Sequence, residues 1–365
     1  MATLGPNDLR QFALPGTFDA TYLAKLQLVS GETYEQLLAD ITAALSLQNA
    51  ALLADPLLAS LISETEEPTL EYRVGVSNGF EDHTEYGRPD AKRSATTGTM
   101  IPLLEKDRAL KWTWDFLKKA RRAQIDGDIA SAMADLSDMY QQLALTRLFK
   151  STADTVGSSG KAVPVADAGT ADSSYIPVNH PERASAFASS HTHLLNTMTV
   201  TQANLEVAVA HLWEHGHDAP YDLLIAQADV ASWSNTTNVT GWIKRADGLI
   251  RYGTQADLAN VAGDYIAVVE TSVYGPVRVR ASARIPTGFW SVFKSYGTLD
   301  ARNPLVLREN PTYGVGAILL AGDHIRQFPF ENAILYAELG FAVADRVGAA
   351  ICQVAGGAYT SPTIS

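Results

Sequence analysis

The sequence predicts an α+β fold in which helices come first, a mixed block follows and strands dominate the last third. Three observations predict it. Ile125, Ile129, Met133, Leu136, Tyr140 and Leu143 recur at steps of four, four, three, four and three, the stripe of an amphipathic helix. Leu70, Tyr72, Val74 and Val76 alternate ahead of the turn-rich, charged stretch Asn78 to Arg93, and Thr96 to Pro102 returns, which is the pattern of an extended two-stranded excursion. From Leu305 onward the chain is a succession of β-favouring runs, and no regular βαβα alternation appears.

Taken in order, Met1 to Ser30 is a polar arm punctuated by Pro and Gly, with Phe12, Phe18 and Leu26 as apolar anchors. Thr33 to Leu53 reads as a helix with Thr33 as its N-cap and Leu37, Leu38, Ile41, Leu45 and Leu52 on one side. Lys106 to Lys150 carries one sustained periodicity. A helix from about Asp115 to Phe149, at roughly 1.5 Å of rise per residue, is about 50 Å long and needs a partner laid along its apolar face. Gly127 lies between Asp126 and Asp128, and Gly costs roughly 1 kcal/mol against Ala inside a helix. A bend or break is expected there, with the true spine running on to Phe149. Trp112, Trp114 and Phe116 crowd the entry to this spine and are expected to anchor the loop base, Trp112 and Phe116 sharing a face at i and i+4.

Beyond the spine, Ser151 to Thr170 is a connection rich in Ser, Gly and Ala, with Val163 and Val165 suggesting a short strand, and Ala171 to Asn196 reads as irregular. Thr201 or Gln202 opens a helix that carries Leu205, Val209 and Leu212 on one face, and Gly216 stops it. Strands are expected at Tyr221 to Ala226, Ile266 to Thr271, Val277 to Ala281 and up to Phe293, with a helix or turn from Ala228 to Ala231. Leu305 to Arg308, Gly314 to Leu320, Ala333 to Val343 and Ala349 to Val354 complete the β-rich end.

Composition narrows the function. With 365 residues, 46% of them hydrophobic and 19% charged, the chain has the make-up of one large or two modest folded domains. A net charge of -12 and a pI of about 5.1 argue against a basic surface that grips nucleic acid. Cys352 is the only cysteine, which rules out intramolecular disulfides and suits a reducing compartment. Met1 to Leu14 lacks the features of a signal peptide, and no run approaches the ~20 apolar residues of a membrane span. A soluble, intracellular product is expected, so the sequons at Asn235 and Asn238 are chance matches.

Chemistry is sparse. His211 and His215 lie at i and i+4 on a helix with Glu214 between them, a spacing that zinc sites use. The pattern is not HExxH, and with His217 as the next candidate a further ligand would come from past Gly216. Histidine at a helix C-terminus is also favoured by the dipole, and that is the reading adopted, with a metal-dependent hydrolase as the alternative. His191 and His193 alternate as on an extended segment. Gly157 to Lys161 lacks the P-loop spacing, G-x-S-x-G and CxxC are missing, and Cys352 suits core packing. No catalytic residue, cofactor or metal is expected, and the chain is not read as an enzyme. The hairpin tip, by contrast, carries both signs of charge: Glu81, Asp82, Glu85 and Asp90 beside Arg88, Lys92 and Arg93. Glu81, Asp82, Glu85, Arg88, Lys92 and Arg93 are the expected contacts to a neighbouring copy.

An arm, a two-stranded loop, a long helix, a mixed domain and a β-rich end resemble the layout of major capsid proteins of tailed double-stranded DNA phages, which have the HK97-like fold. Two stretches carry the resemblance in detail: Asp107-Arg-Ala-Leu-Lys-Trp-Thr-Trp-Asp-Phe-Leu-Lys-Lys-Ala120, and Asn303 to Ala317 leading into Asn332 to Gly348. The resemblance implies an N-terminal arm and helix over 1–65, an E-loop over 66–105 reaching across a neighbour, and a P-domain with the spine over 106–200. It further implies an A-domain over 201–304, P-domain return strands over 305–345, and a C-terminal A-domain segment and tail over 346–365.

Its functional implication is a structural subunit that self-assembles into hexamers and pentamers of an icosahedral shell around double-stranded DNA, without sequence-specific DNA contacts or a membrane. An acidic lining that repels packaged DNA is compatible with this. Only about 65 residues precede the loop, so a separate scaffolding protein is expected rather than a long cleaved leader, along with a portal and cement proteins. Lys92 is the only lysine in the loop, and no motif names an Asn partner for a crosslink. Assembly in the host cytoplasm and a final place in the virion capsid follow. An encapsulin-type nanocompartment shell is the alternative on the same fold.

Overall fold

A computed structural model describes residues 28, 31–73, 96–156, 160–166, 175–183, 187, 189, 191–244, 265–321 and 330–364. The arm and the tip of the excursion, 1–27 and 74–95, lie outside the described residues. The chain divides into two compact units: Met1–Leu52 with Leu104–Met139 and Asn310–Glu338, and Leu53–Leu103 with Tyr140–Glu309 and Leu339–Ser365.

In the first unit, helix α1 (Tyr34–Leu53) begins at a reciprocal cap. Thr33 Oγ1 accepts from the Gln36 amide at 3.2 Å while Gln36 Oε1 accepts from the Thr33 amide at 2.8 Å, satisfying two amides that the first turn would leave unpaired. Leu37, Ile41, Leu45 and Leu52 are buried along one face, as their spacing requires.

The second unit opens with α2 (Pro56–Leu61), capped by Asp55, whose Oδ1 accepts from Leu57 and Leu58 at 3.0 and 2.9 Å. Strand β1 (Ile62–Thr65) follows, and then β2 (Thr69–Arg73) and β3 (Thr96–Met100) pair antiparallel from Thr69↔Met100 to Arg73↔Thr96. These two strands form the base of the expected excursion.

The entry to the spine differs from expectation. Leu104–Thr113 is a strand, β4, so Trp112 lies on an extended segment and shares no helical face with Phe116. A one-turn helix, α3 (Trp114–Lys119), ends at Ala120, whose φ of -67° and ψ of 142° are extended, and α4 (Arg122–Phe149) then runs for 28 residues, roughly 42 Å. The break therefore falls before Arg122, and α4 passes through Gly127. Local bonds account for both outcomes. Gln124 Oε1 accepts from the Arg121 amide at 3.1 Å and starts α4, Arg122 pairs with Asp126 at 2.7 Å across one turn, and Trp112 Nε1 donates to Asp128 at 3.0 Å. Together with the hydrogen bond to Asp128 these offset one glycine's ~1 kcal/mol.

Strands β5 (Asp154–Val156) and β6 (Gly160–Ala162) form a small hairpin; Val163 and Val165 are buried but lie beyond its end. A seven-stranded sheet makes the core of the second unit, in the order β7 (Leu194–Leu195), β16 (Ala349–Gln353), β12 (Phe289–Phe293), β8 (Tyr221–Ala226), β11 (Pro276–Ser282), β10 (Ala267–Glu270) and β9 (Trp242–Lys244). Helix α5 (Gln202–Trp213), capped by Thr201 Oγ1 on the Asn204 amide at 3.2 Å, lays Leu205, Val209 and Leu212 on this sheet against Leu223, Ile225, Val279 and Val292. Short α6 (Val230–Trp233) adds Trp233, edge-on to Trp290 with ring centroids 5.1 Å apart. Cys352 is buried in the same core, which pushes its thiol well up, in keeping with a packing role.

Inside this apolar sheet Asp222 and Arg278 face each other in register and pair at 2.6 Å, with Arg280 Nε 3.6 Å from the same carboxylate. Strand β15 (Phe330–Val343) serves both units. Its residues 333–336 pair with β14 (Ile318–Ala321) in the first, and 339–343 pair with β13 (Leu305–Glu309) in the second, where β13 also pairs parallel with β1.

Candidate functional site

Two places in the second unit bring functional side chains together. The first is the base of the excursion. Tyr72 Oη donates to the Val343 carbonyl at 2.5 Å, Arg308 Nη1 donates to the Ile101 carbonyl at 2.9 Å, and Ile101 is buried with Val306 and Ala342. Pro102 passes so close to β15 that a Cβ built on Gly340 would lie 1.6 Å from the Pro102 oxygen. Only glycine permits that approach. The predicted contact residues Glu81, Asp82, Glu85, Arg88, Lys92 and Arg93 lie on the tip, outside the described residues.

The second is a histidine cluster where α5 ends. Glu214 forms the C-cap and Gly216, at φ 90°, turns the chain away as its position predicts. Beside this end, 191–193 runs extended into β7: the His193 amide donates to the Ala166 carbonyl at 2.7 Å, and the His193 carbonyl accepts from Ile351 at 2.8 Å. The sequence offered His211, His215 and His217 as one group and expected any further ligand from beyond Gly216. The structure regroups them. His217 turns away to Tyr296 Oη at 2.9 Å and Asp345 at 3.2 Å, while His191 and His193 arrive from the opposite side.

Three ring nitrogens converge there. His193 Nε2 lies 3.0 Å from His215 Nε2, and His191 Nε2 lies 3.2 Å from each of them. Glu214 Oε1 stands 2.8 Å from His191 Nε2 and 3.7 Å from His215 Nε2, with His211 Nδ1 at 3.3 Å from it. The ligand atoms of His191, His193, His211 and Glu214 likewise fall within 4.8 Å of one another. The far sides of two rings are fixed by backbone carbonyls: His193 Nδ1 is 3.0 Å from Ala349 O, and His215 Nδ1 is 2.5 Å from Val178 O. Phe187 stacks on His191 with centroids 4.8 Å apart, and Arg183 lies over Phe187 with its Nη1 3.6 Å from Glu214.

Burial dominates the electrostatics of this cluster. With help from the neighbouring imidazoles it drives His193 well below the ordinary imidazole range, and against the opposing pull of the Val178 carbonyl and Glu214 it brings His215 down to about 4. Glu214 moves the other way. Its partial burial opposes ionisation, but hydrogen bonds and charge interactions with His191 and His211 hold its carboxyl far below the usual range. Four nitrogen and oxygen donors around one point could hold a metal ion. The sequence contained the i, i+4 pair but no signal that a segment twenty residues upstream would close on it.

No family model and no curated protein matches the chain. Among solved structures it is similar to a chain of Mycobacterium phage Patience, with 19% identity over 96% of this chain and 97% of that one, at a TM-score of 0.61. It is also similar, at TM-scores below 0.5, to a chain of the bacteriophage PhiM1 mature capsid (10% identity, 80% and 85% covered, 0.47) and to an encapsulin of Synechococcus elongatus (12%, 99% and 99%, 0.44). The match to the Patience chain runs nearly end to end in both proteins, and the chain has the expected α+β, HK97-like fold.

Proposed function

We propose that the chain is a structural shell protein: the major capsid subunit of a tailed double-stranded DNA phage, self-assembling into hexamers and pentamers of an icosahedral shell. The observation that carries this reading is the fold shared nearly end to end with a phage chain at a TM-score of 0.61. The anchored hairpin base and the 28-residue spine supply what a thin shell subunit needs, a rigid strut and an arm held firmly at its root. One specific interface buries ~800 Å² per partner, and symmetry repeats each contact in every copy.

In finer detail, residues 66–105 are the E-loop, with Glu81, Asp82, Glu85, Arg88, Lys92 and Arg93 meeting the adjacent subunit, and 201–304 belong to the A-domain near capsomer centres. A separate scaffolding protein, a portal and cement proteins are the other partners. Packaged DNA meets the acidic lining without sequence-specific contacts, and assembly takes place in the host cytoplasm.

The test is electron microscopy of the protein expressed alone and with a candidate scaffolding protein. Closed shells or capsomers are expected. A monomer that persists at high concentration, across several salts and with the scaffold present, overturns the reading. Shells that hold an enzyme cargo in place of nuclease-protected DNA would make it an encapsulin.

A further inference from the structure

We propose that His191, His193, His215 and Glu214 bind one divalent transition metal ion of the zinc class, as a structural clamp between the segment entering β7 and the end of α5. The hydrogen-bond inventory favours a cation there. A carbonyl can only accept, so the contacts of His193 Nδ1 with Ala349 O and of His215 Nδ1 with Val178 O place a proton on each Nδ1. The Nε2 of each neutral ring is then a bare lone pair. Those two lone pairs face each other at 3.0 Å, with His191 Nε2 at 3.2 Å from both. His191 Nε2 can place its one proton on Glu214 Oε1 at 2.8 Å, and the His193 and His215 pair is left in repulsion.

A metal ion at this point turns the facing lone pairs of His193 and His215 from a repulsion into coordination bonds. The three nitrogens form a nearly equilateral triangle with edges of 3.0 to 3.2 Å. An ion at the usual ~2.0–2.1 Å from imidazole nitrogen would sit roughly 1 Å out of their plane, leaving a fourth tetrahedral position for Glu214. The surroundings are those of a ligand set too. Two of the rings are oriented by a backbone carbonyl on the remaining nitrogen, the usual outer-shell arrangement for metal-bound histidine. His193 is fully buried, whereas Glu214 and His191 retain side-chain exposure of 23% and 24%, which gives the ion an entry path. Four protein donors close the coordination shell, so the site braces the fold and leaves no position for an activated water. His211 lies against Glu214 and completes a competing set in place of His215. The anchored, mutually facing nitrogens of His193 and His215 favour the set proposed.

Protein purified without a polyhistidine tag, stripped with chelator and titrated with Zn²⁺ or Co²⁺, tests this. The expected result is one equivalent per chain by elemental analysis, with visible Co²⁺ bands of tetrahedral intensity and a melting temperature that rises with Zn²⁺ and falls with chelator. His215→Gln and Glu214→Gln should each weaken binding at least tenfold, on the scale by which even outer-shell changes weaken metal sites; His217→Gln should leave it intact and control for folding. Well under one equivalent at saturating metal, or a melting temperature indifferent to Zn²⁺ and chelator, overturns the proposal. Loss of metal in His211→Gln with retention in His215→Gln overturns the donor set.

Discussion

The same substitution, glycine to alanine, should act with opposite sign at two positions. At Gly340 a Cβ would lie 1.6 Å from the Pro102 oxygen and 2.8 Å from its carbonyl carbon. A carbon–oxygen contact settles near ~3.3–3.6 Å, so the two backbones would have to part by roughly 1.5 Å or more. Neither side yields easily. Gly340 is paired with Arg308 in the β13–β15 ladder, and the Arg308 side chain holds the Ile101 carbonyl at 2.9 Å, one residue before Pro102. The cost should therefore reach the upper end of the ~1–3 kcal/mol typical of overpacking. At Gly127 a Cβ meets nothing within 4 Å, and the backbone is helical. Alanine there should gain about 0.5–1 kcal/mol by helix propensity and reduced unfolded-state freedom. Urea denaturation of the purified protein, followed by far-UV circular dichroism, should separate the two variants by roughly 3–4 kcal/mol. Equal midpoints, or a Gly340→Ala midpoint at or above the parent's, would refute the close approach of Pro102 to β15.

Three further outcomes follow from the same packing. Tyr72→Phe removes the donor to the Val343 carbonyl from a buried site and should cost about 1–2 kcal/mol in the same assay, with the fold intact. Asp222→Ala leaves Arg278 and Arg280 buried beside an empty position and should cost about 3–5 kcal/mol, whereas Arg278→Met should cost less because Arg280 Nε still faces the carboxylate at 3.6 Å; an inverted order would show that Arg280 does not share the charge. Thr201→Ala should lower stability by about 1 kcal/mol through loss of the α5 cap, while Thr201→Ser should restore it; equal losses in both would put the effect elsewhere.

Much of the architecture was legible because it rests on local chemistry. Thr33 and Gln36, three residues apart ahead of an apolar stripe, mark the start of α1, and the Gly216 position marks the end of α5. The β-rich end followed from β-branched runs, and β15 and β16 lie where those runs are. The spine's start was misjudged for a nameable reason. Propensity singled out Gly127, yet its penalty of ~1 kcal/mol is offset by the two flanking side-chain bonds, whereas the true break at Ala120 involves a good helix former. That residue adopts ψ 142° between a helix capped by Thr113 and another started by Gln124. Likewise Leu104–Thr113 is a strand because β15 offers it a partner, and no local periodicity encodes a partner some 220 residues away.

The histidine cluster shows where sequence spacing stops being informative. At α5 the i, i+4 pair His211 and His215 suggested a metal, and the missing HExxH argued it away. The helix dipole, which favours histidine at a C-terminus, supplied the other reading. In the fold both histidines reach the cluster, His215 through Nε2 beside His191 and His193 and His211 through Nδ1 beside Glu214, and the contact of His215 Nδ1 with the Val178 carbonyl fixes the first of them. The other two nitrogens come from 191–193, whose alternation puts both rings within reach because His191 stacks under Phe187 while His193 is fastened to β16 through Ala349. A ligand set split between an extended segment and a helix end would brace two elements that also meet through Leu195 in the sheet's core. The proposed ion would tie the entry to an edge strand, only two residues long, to the helix that covers the sheet.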